Sequence, residues 1–202
     1  MSSMKLQNAP IPLQTPPPMV FTDPSHFSIE RTIVARVHPT QKIDASFDWS
    51  SALLSDPFTS GVVSVTFTIL SSPGNFHFGL MNFNDPIPKV GEALGWNVKD
   101  SVSLSKYGNL NYTTPSIRSN QRCHFFLNFG DCVRMEVDLD STPRTVQFFR
   151  NGEAGRCYVS GIPSSVRIGC SARCLTTSFR IDNISRLSQP TPFSEKRVEV
   201  EW

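Results

Sequence analysis

A chain of 202 residues, 39% apolar and with a formal net charge of +2, has the size of one globular domain, and above about 150 residues such a domain buries roughly 70% of its unfolded surface, so its core needs neither disulfide nor metal. The balance of 19 Lys and Arg against 17 Asp and Glu, interleaved in sign, leaves no electrostatic footprint for nucleic acid or an anionic membrane. No apolar run approaches the ~18 residues of a membrane span.

Five cysteines, at 123, 132, 157, 170 and 174, form an odd set without framework spacing, and the N-terminal residues hold no continuous apolar stretch. This points to reduced thiols in a cytosolic or nuclear protein, with cytoplasmic as the working expectation. Fifteen Phe against three Tyr and three Trp indicate aromatic residues spent mainly inside, since Phe has no polar handle for a wet surface.

Residues 1–24 contain Pro10, Pro12, Pro16, Pro17, Pro18 and Pro24, a density that opposes regular hydrogen-bonded structure and predicts an extended, flexible arm. Within it, Thr15 to Pro18 reads as a plain linker or as a ligand for a proline-reading domain. Ile29, Ile33, Val34 and Val37 among charged residues predict one or two short strands over Phe27 to Val37, and Ile43 to Trp49 reads similarly. Ser50 to Ser60, too polar and broken for an element, reads as loop.

Val63, Val65, Phe67 and Ile69 alternate with Ser64, Thr66 and Thr68 in a clear strand pattern, and after the Pro73-Gly74-Asn75 turn Phe76, Phe78 and Leu80 are expected to return beside it. Gly79 in that strand predicts a bulge or a close backbone approach. Asn82 to Gly95 is a long excursion; Trp96 to Val98, Ser101 to Ser105 and Leu110 to Tyr112 are candidate strands. Cys123 to Phe129 is a dense apolar run that reads as a central strand buried on both faces.

From Cys132 to Asp140, Val133, Met135, Val137 and Leu139 alternate with Arg134, Glu136 and Asp138, the pattern of a strand buried on one face. Asp140 to Pro143 is turn chemistry, Val146 and Phe148 alternate with Thr145 and Gln147, and Asn151-Gly152 supplies the positive-φ pair of a tight hairpin into a third strand through Cys157, Tyr158 and Val159. Beyond Ile184 the polar Ser188 to Pro192 closes the domain, and Val198, Val200 and Trp202 alternate with Glu199 and Glu201 as one further edge strand would. The division is an arm over 1–24, a domain over 25–187 and a tail over 188–202.

The sequence holds no G-x-S-x-G elbow, H-E-x-x-H helix, phosphate-cradling glycine loop or C-x-x-C pair. His77 stands between two Phe and turns away from their face; with His124 and a cysteine it could hold a metal, but a neutral hydrogen-bonded core histidine is the simpler reading. Asp138 and Asp140 share a strand face and could bind calcium or serve a sugar-cleaving enzyme; without an acidic loop to add ligands they read as a solvated face. Cys170 and Cys174 lack zinc spacing and read as packing cysteines. No cofactor and no metal are expected.

The pattern G-D-x-V-x-x-x-x-D, a turn, an aromatic pair running into Asn-Gly and a short strand ending in Ile-Pro resembles the C-terminal half of a SPRY domain, carried by Gly130, Asp131, Val133, Asp138, Phe148, Phe149, Asn151, Gly152, Ile162 and Pro163. Val166 to Ser171 and Thr177 to Ile181 resemble that family's closing strands, and Gly61 to Phe67 with Phe76 to Leu80 its opening pair. The resemblance spans Gly61 to Ile184 and is nearest to the SPRY-like domains of unicellular eukaryotes. It implies an all-β fold, an antiparallel β-sandwich of the concanavalin A-like or jelly-roll type, in which Gly130, Asp131, Asp138, Phe148, Asn151 and Gly152 are scaffold.

The resemblance further implies a protein-interaction module whose loops read a segment of a partner protein as an adaptor or scaffold; with the absence of catalytic motifs, a non-catalytic protein is expected, and a monomer is the working expectation. Polar loops with hydrogen-bonding aromatics are the natural anchors. Asn84 to Glu92, Lys106 to Tyr112 and Ser116 to Arg122 fit that description, and Tyr107, Asn109, Asn111, Tyr112, Arg118, Asn120 and Arg122 are the candidate contacts. The alternative is a carbohydrate-binding or carbohydrate-active lectin-like sandwich, for which Asp138 and Asp140 would be the working acids.

Overall fold

Period-two apolar alternation builds this molecule into two sheets, seen in a computed structural model that describes residues 17–21, 23–24, 27–30, 33–36, 48–114, 118–122, 126–174, 176–193 and 197–202. The strands are β1 (Met19–Phe21), β2 (Phe27–Glu30), β3 (Ile33–Arg36), β4 (Ser50–Leu54), β5 (Val62–Ser71), β6 (Phe76–Asn82), β7 (Ser101–Ser105) and β8 (Asn109–Thr113). They continue as β9 (Arg118–Arg122), β10 (Cys132–Asp138), β11 (Thr145–Arg150), β12 (Glu153–Ser160), β13 (Val166–Ala172), β14 (Ser178–Leu187) and β15 (Val198–Glu201). No α-helix occurs among the described residues.

One sheet of seven strands runs β1-β4-β13-β6-β7-β8-β9, and a second of eight runs β15-β12-β11-β10-β5-β14-β3-β2. All neighbours pair antiparallel except β12 and β15, which are parallel. The protein is thus an all-β sandwich of the jelly-roll kind.

Alternate residues of the two sheets meet in one interior. Val63, Val65, Phe67 and Ile69 of β5 face Phe76, Phe78 and Leu80 of β6 in a single buried cluster. The Phe67 and Phe78 rings stack at 4.8 Å, and Phe179 of β14 meets Phe76 at 5.3 Å and Phe78 at 4.8 Å edge to face. Each such buried ring contributes about 1.5–3 kcal/mol through its apolar area. The expected pairing of β5 with β6 is therefore wrong in kind: residues 72–75 carry the chain from one sheet to the other, and the two strands touch through side chains, not through a ladder.

Hydrogen bonding matches the alternation pattern best in β10, β11 and β12. Met135 lies opposite Phe148 and Val137 opposite Val146, and Asn151 (φ +50°) with Gly152 (φ +85°) closes the hairpin. Gly79 shows the close backbone approach: a Cβ there would stand 2.1 Å from the Val102 carbonyl oxygen.

Several expectations fail because both outer faces of the sandwich are covered by chain distant in sequence. Ser50 to Leu54, read as loop, is β4, wholly buried between β1 and β13. Its outward residues Ser51 and Leu53 lie under the excursion after β6, where Leu53, Met81, Leu94 and Val98 form a second small cluster. Trp96 to Val98 is not a strand but part of the turns that form this cover, with Trp96 N–H and Val98 N–H both donating to the Ala93 carbonyl at 3.1 and 3.4 Å. Met19 to Phe21, within the stretch read as an arm, pair with β4; residues 1–16 and 43–47 lie outside the described residues.

Beneath this cover the outer face of the seven-stranded sheet is a lattice of neutral hydrogen bonds. Ser51 Oγ and Ser171 Oγ lie 2.7 Å apart, Leu94 N–H donates to Ser171 Oγ at 3.1 Å, Ser103 Oγ donates to Leu94 O at 2.7 Å, and Gly95 N–H donates to Ser101 Oγ at 2.7 Å. Small hydroxyl side chains thus satisfy the backbone of the covering loop, as buried polar groups require.

The eight-stranded sheet is covered differently. After β14 the chain crosses the outer side of β10 and β11, where Thr191 N–H and Thr191 Oγ1 donate to Glu136 at 2.5 and 2.8 Å and Gln147 Nε2 donates to Thr191 O at 2.9 Å. Arg197 then hydrogen-bonds Gln147, and β15 runs along β12. The one-faced reading of β10 and β11 is overturned: Glu136, 1% exposed, and Gln147 are buried under this strap, and Asp138, 3% exposed and bonded to the turn after it, and Thr145 are buried as well.

Candidate functional site

One end of the sandwich is built from turns that hold each other. Lys106 N–H donates to Phe76 O at 3.0 Å and Lys106 Nζ to Ser72 O at 2.9 Å, which ties the β7–β8 turn to the start of β6. Leu127 N–H donates to Lys106 O at 2.8 Å, and Gly130 N–H to Ile69 O at 2.8 Å, so the stretch before β10 lies across the same end.

Asp131 locks that stretch. Its carboxylate accepts Asn128 N–H at 2.7 Å, Arg150 Nε at 2.9 Å and Asn151 Nδ2 at 2.8 Å, and Asn151 Oδ1 accepts Cys132 N–H at 2.8 Å. Gly130 (φ +83°) makes the turn that a Cβ would strain. The scaffold positions Gly130, Asp131, Asn151 and Gly152 therefore act as one clamp between the β11–β12 hairpin and the loop ahead of β10. Asp138 does the same work at the opposite end, accepting Asp140 N–H at 3.0 Å, Ser141 N–H at 3.1 Å and the Ser141 hydroxyl. Phe148 is scaffold of another kind, 2% exposed in the interior.

The clamped end presents aromatic residues to solvent. Tyr107 is 50% exposed, Phe126 55% and Phe129 75%, and the rings of Tyr107 and Phe126 meet edge to face at 6.5 Å. The expectation of a buried central strand over Cys123 to Phe129 is thereby corrected for its described part: only Leu127 enters the core, and residues 126–129 form no strand. Cys123, His124 and Phe125 lie outside the described residues.

The sequence-derived contacts divide here. Tyr107 stands in the turn and Asn109, half-buried, follows it at the start of β8, its N–H donating to Ser105 Oγ at 3.2 Å. Asn120 is exposed on β9, and Arg118 opens that strand opposite Thr113. Asn111 is 3% exposed and Tyr112 packs against the core. The stretches read as loops over Lys106 to Tyr112 and Ser116 to Arg122 are thus largely the paired strands β8 and β9, because alternation of Leu110 and Tyr112 already gives β8 an inner face. Phe126 and Phe129 were missed; the break in alternation at Asn128-Phe129-Gly130 was the available signal.

A second surface lies on the outer side of the eight-stranded sheet, where Arg134, Arg156 and Arg197 line a groove around Phe149. The Arg134 guanidinium lies 3.6 Å from the centre of the Phe149 ring and 2.6 Å from Glu136 Oε2. Arg197 lies 5.7 Å from the rings of Phe149 and Phe193, and burial pulls its pKa below the usual range, with Glu136 opposing that shift and Arg134 adding to it.

The remaining candidates are structural. His77 Nδ1 lies 3.0 Å from Leu94 O and 3.3 Å from Ser103 Oγ, its ring packs on Trp49 at 4.6 Å, and burial lowers its pKa to about 4, so it is neutral at physiological pH. Burial pushes the Cys170 thiol up to about 12, which keeps it from being a thiolate nucleophile. Asp140 accepts Gly61 N–H at 2.7 Å, so both acids of the Asp138–Asp140 pair are engaged in turn backbone. Among the described residues no three His, Cys, Asp or Glu gather in a metal-binding group.

No protein-family description matches the sequence, and no curated protein matches it significantly. Solved structures do. The SPRY domain of human HERC1 superposes with a TM-score of 0.53 at 16% identity, covering 83% of this chain and 99% of its own. The PSpry domain of TRIM65 gives 0.55 at 13% identity, covering 86% and 98%. A lectin, UEA-II complexed with galactose, reaches 0.47 at 12% identity over 86% and 96%, too low a score to bear on function. The fold is that of SPRY domains.

Proposed function

We propose that the protein is a non-catalytic, SPRY-like interaction module that binds a segment of a partner protein at the clamped end of the sandwich. Tyr107, Phe126 and Phe129 are the anchors. Asn109, Asn120 and Arg118 supply polar contacts along the β8–β9 edge leading from it, while Asn111 and Tyr112 support this edge from within. The module works as a cytoplasmic monomer in an adaptor or scaffold role.

The observation that carries this reading is the exposure of three large aromatic side chains on turns that are themselves rigidly held. Exposed aromatic clusters mark interaction sites, and a preorganised backbone lowers the ordering cost of binding. The resemblance of the sandwich to SPRY domains supports this class, and the exposed aromatic residues of the clamped end support this place. The sugar-directed alternative loses its working residues, since Asp138 and Asp140 are bound to turn amides.

Affinity capture from cell extract with the intact protein and with Tyr107→Ala/Phe126→Ala/Phe129→Ala tests the proposal. Proteins retained by the first and lost by the second, at equal melting temperature, are expected. The same proteins on both would place the binding surface elsewhere.

A further inference from the structure

Arg167 is a buried cation without a counter-charge. It is 9% exposed, and among the described residues its guanidinium pairs with no carboxylate and makes no hydrogen bond. Its Nε is sealed from solvent with no acceptor, and burial alone pulls its pKa below the usual range. The guanidinium rests instead over the Phe83 ring, 4.4 Å from its centre.

The chain builds a notch around this group. Arg167 alternates with Val166 and Ile168 of the interior, so it stands on the outer face of the seven-stranded sheet, opposite Met81 of β6. On its other side Gly169 lies opposite Leu53 but Val166 lies opposite Phe58. Three steps along β13 are thus matched by five along its neighbour, and residues 54–57 bow out beside Arg167. Such bulges re-aim side chains and recur next to sites. Phe83 is fixed on the β6 side, its N–H donating to Ser165 O at 3.0 Å.

Packing does not require a charge here. An unpaired buried ion costs stability, and an apolar side chain of similar volume in its place is commonly neutral or stabilising. A buried polar group left unpaired asks for a ligand that supplies the partner. Nε is the sealed atom of the guanidinium, whereas Nη1 and Nη2 are not sealed, so the planar end fork reaches the surface. Two parallel N–H donors of this kind fit a carboxylate bidentately. Met81, Pro57 and Phe83 add no second cation, and Asp56 adjoins Pro57 in the bowed segment. A carboxylate therefore balances the site, whereas a phosphate dianion would leave a negative charge beside Asp56.

We infer that Arg167 is an anion receptor and that its ligand is a carboxylate, taken end-on by Nη1 and Nη2 while Phe83 backs the guanidinium. An acidic side chain and a C-terminus present the same two oxygens. The site lies where β6 ends, remote from the clamped end where β6 begins, and it does not rest on the reading of that end.

The Nε–H signal of Arg167 in heteronuclear NMR spectra of the full chain reports on the site. Sodium acetate, exchanged for chloride at constant ionic strength, is expected to shift it saturably and to move the amide signals of Phe83 and Ile168. Acetyl-Gly-Glu-Gly-amide and acetyl-Gly-Gly-Gly with a free C-terminus separate the two sources. At least one of them should bind, and acetyl-Gly-Gln-Gly-amide should not. Arg167→Met should melt at the same temperature as the wild type or higher, and should lose the rise in melting temperature that acetate gives the wild type. Arg167→Lys keeps the charge without the fork and should weaken binding about tenfold or more, read at the Phe83 amide. The end variant Tyr107→Ala/Phe126→Ala/Phe129→Ala should respond to acetate as the wild type does. No saturable shift with acetate, failure of both peptides, equal binding in Arg167→Lys, a lower melting temperature in Arg167→Met, or tighter binding of inorganic phosphate than of acetate would each overturn the inference.

Discussion

The phenylalanines of the sandwich body and those of its clamped end are the same residue put to opposite uses. Phe67, Phe76, Phe78, Phe148 and Phe179 share one interior at 2% exposure or less, whereas Phe126 and Phe129 stand more than half exposed on turns fixed by Asp131. Burial converts the ring into stability, and rigid exposure converts it into unsatisfied apolar area that a partner can cover. Substitutions in the two regions should therefore separate stability from binding.

The largest effect is expected in the body. Phe148→Ala removes a buried ring opposite Met135 and should lower unfolding free energy by about 3–5 kcal/mol in urea titration. A loss under about 1 kcal/mol would place Phe148 outside the core.

His77 gives the body a pH dependence. Its folded pKa of about 4 lies below the ordinary 6.5, so the unfolded chain takes up a proton more readily than the folded one. Its contribution is intact above about pH 6.5 and is lost as pH falls toward 4, by about 3 kcal/mol across that window. Urea titrations between those limits should show this slope in the wild type and a shallower one in His77→Asn.

The clamp lies between the two regions in effect. Asp131→Ala strips acceptors from Asn128, Arg150 and Asn151 and should cost about 2–3 kcal/mol, together with faster amide exchange at Asn128 and Phe129. Gly152→Val meets no atom within 4 Å but must hold φ near +85°, a backbone cost of about 1–2 kcal/mol. The smallest change is expected at the end itself: Tyr107→Ala, Phe126→Ala and Phe129→Ala should each shift stability by no more than about 0.5 kcal/mol, read by thermal melting.

The same contrast shows why parts of the molecule were legible in the sequence. β10, β11 and β12 carry their instructions locally, in alternation and in Asn151-Gly152, and the scaffold residues follow from them. β4 does not: its serines read as loop until the Ser51 hydroxyl meets Ser171 and Leu53 packs under Leu94 and Val98. Glu136 reads as solvated until Thr191 arrives to cover it. Phe126 and Phe129 resemble core because composition reports apolarity and not direction; the structure leaves them exposed on the stretch that Asp131 holds at Asn128. The arginine groove was illegible for a related reason, since Arg134, Arg156 and Arg197 come from three separate segments that the sheet and the strap bring together.

The central claim, that the clamped end is the binding surface, is tested most directly by site-specific photo-crosslinking. A photoreactive phenylalanine analogue at Phe129 is compared in cells with one at Thr142, exposed at the opposite end in the Asp140–Pro143 turn. The account predicts a discrete crosslinked partner from position 129 and none from position 142. Adducts from 142 alone, or the same adducts from both positions, would contradict it.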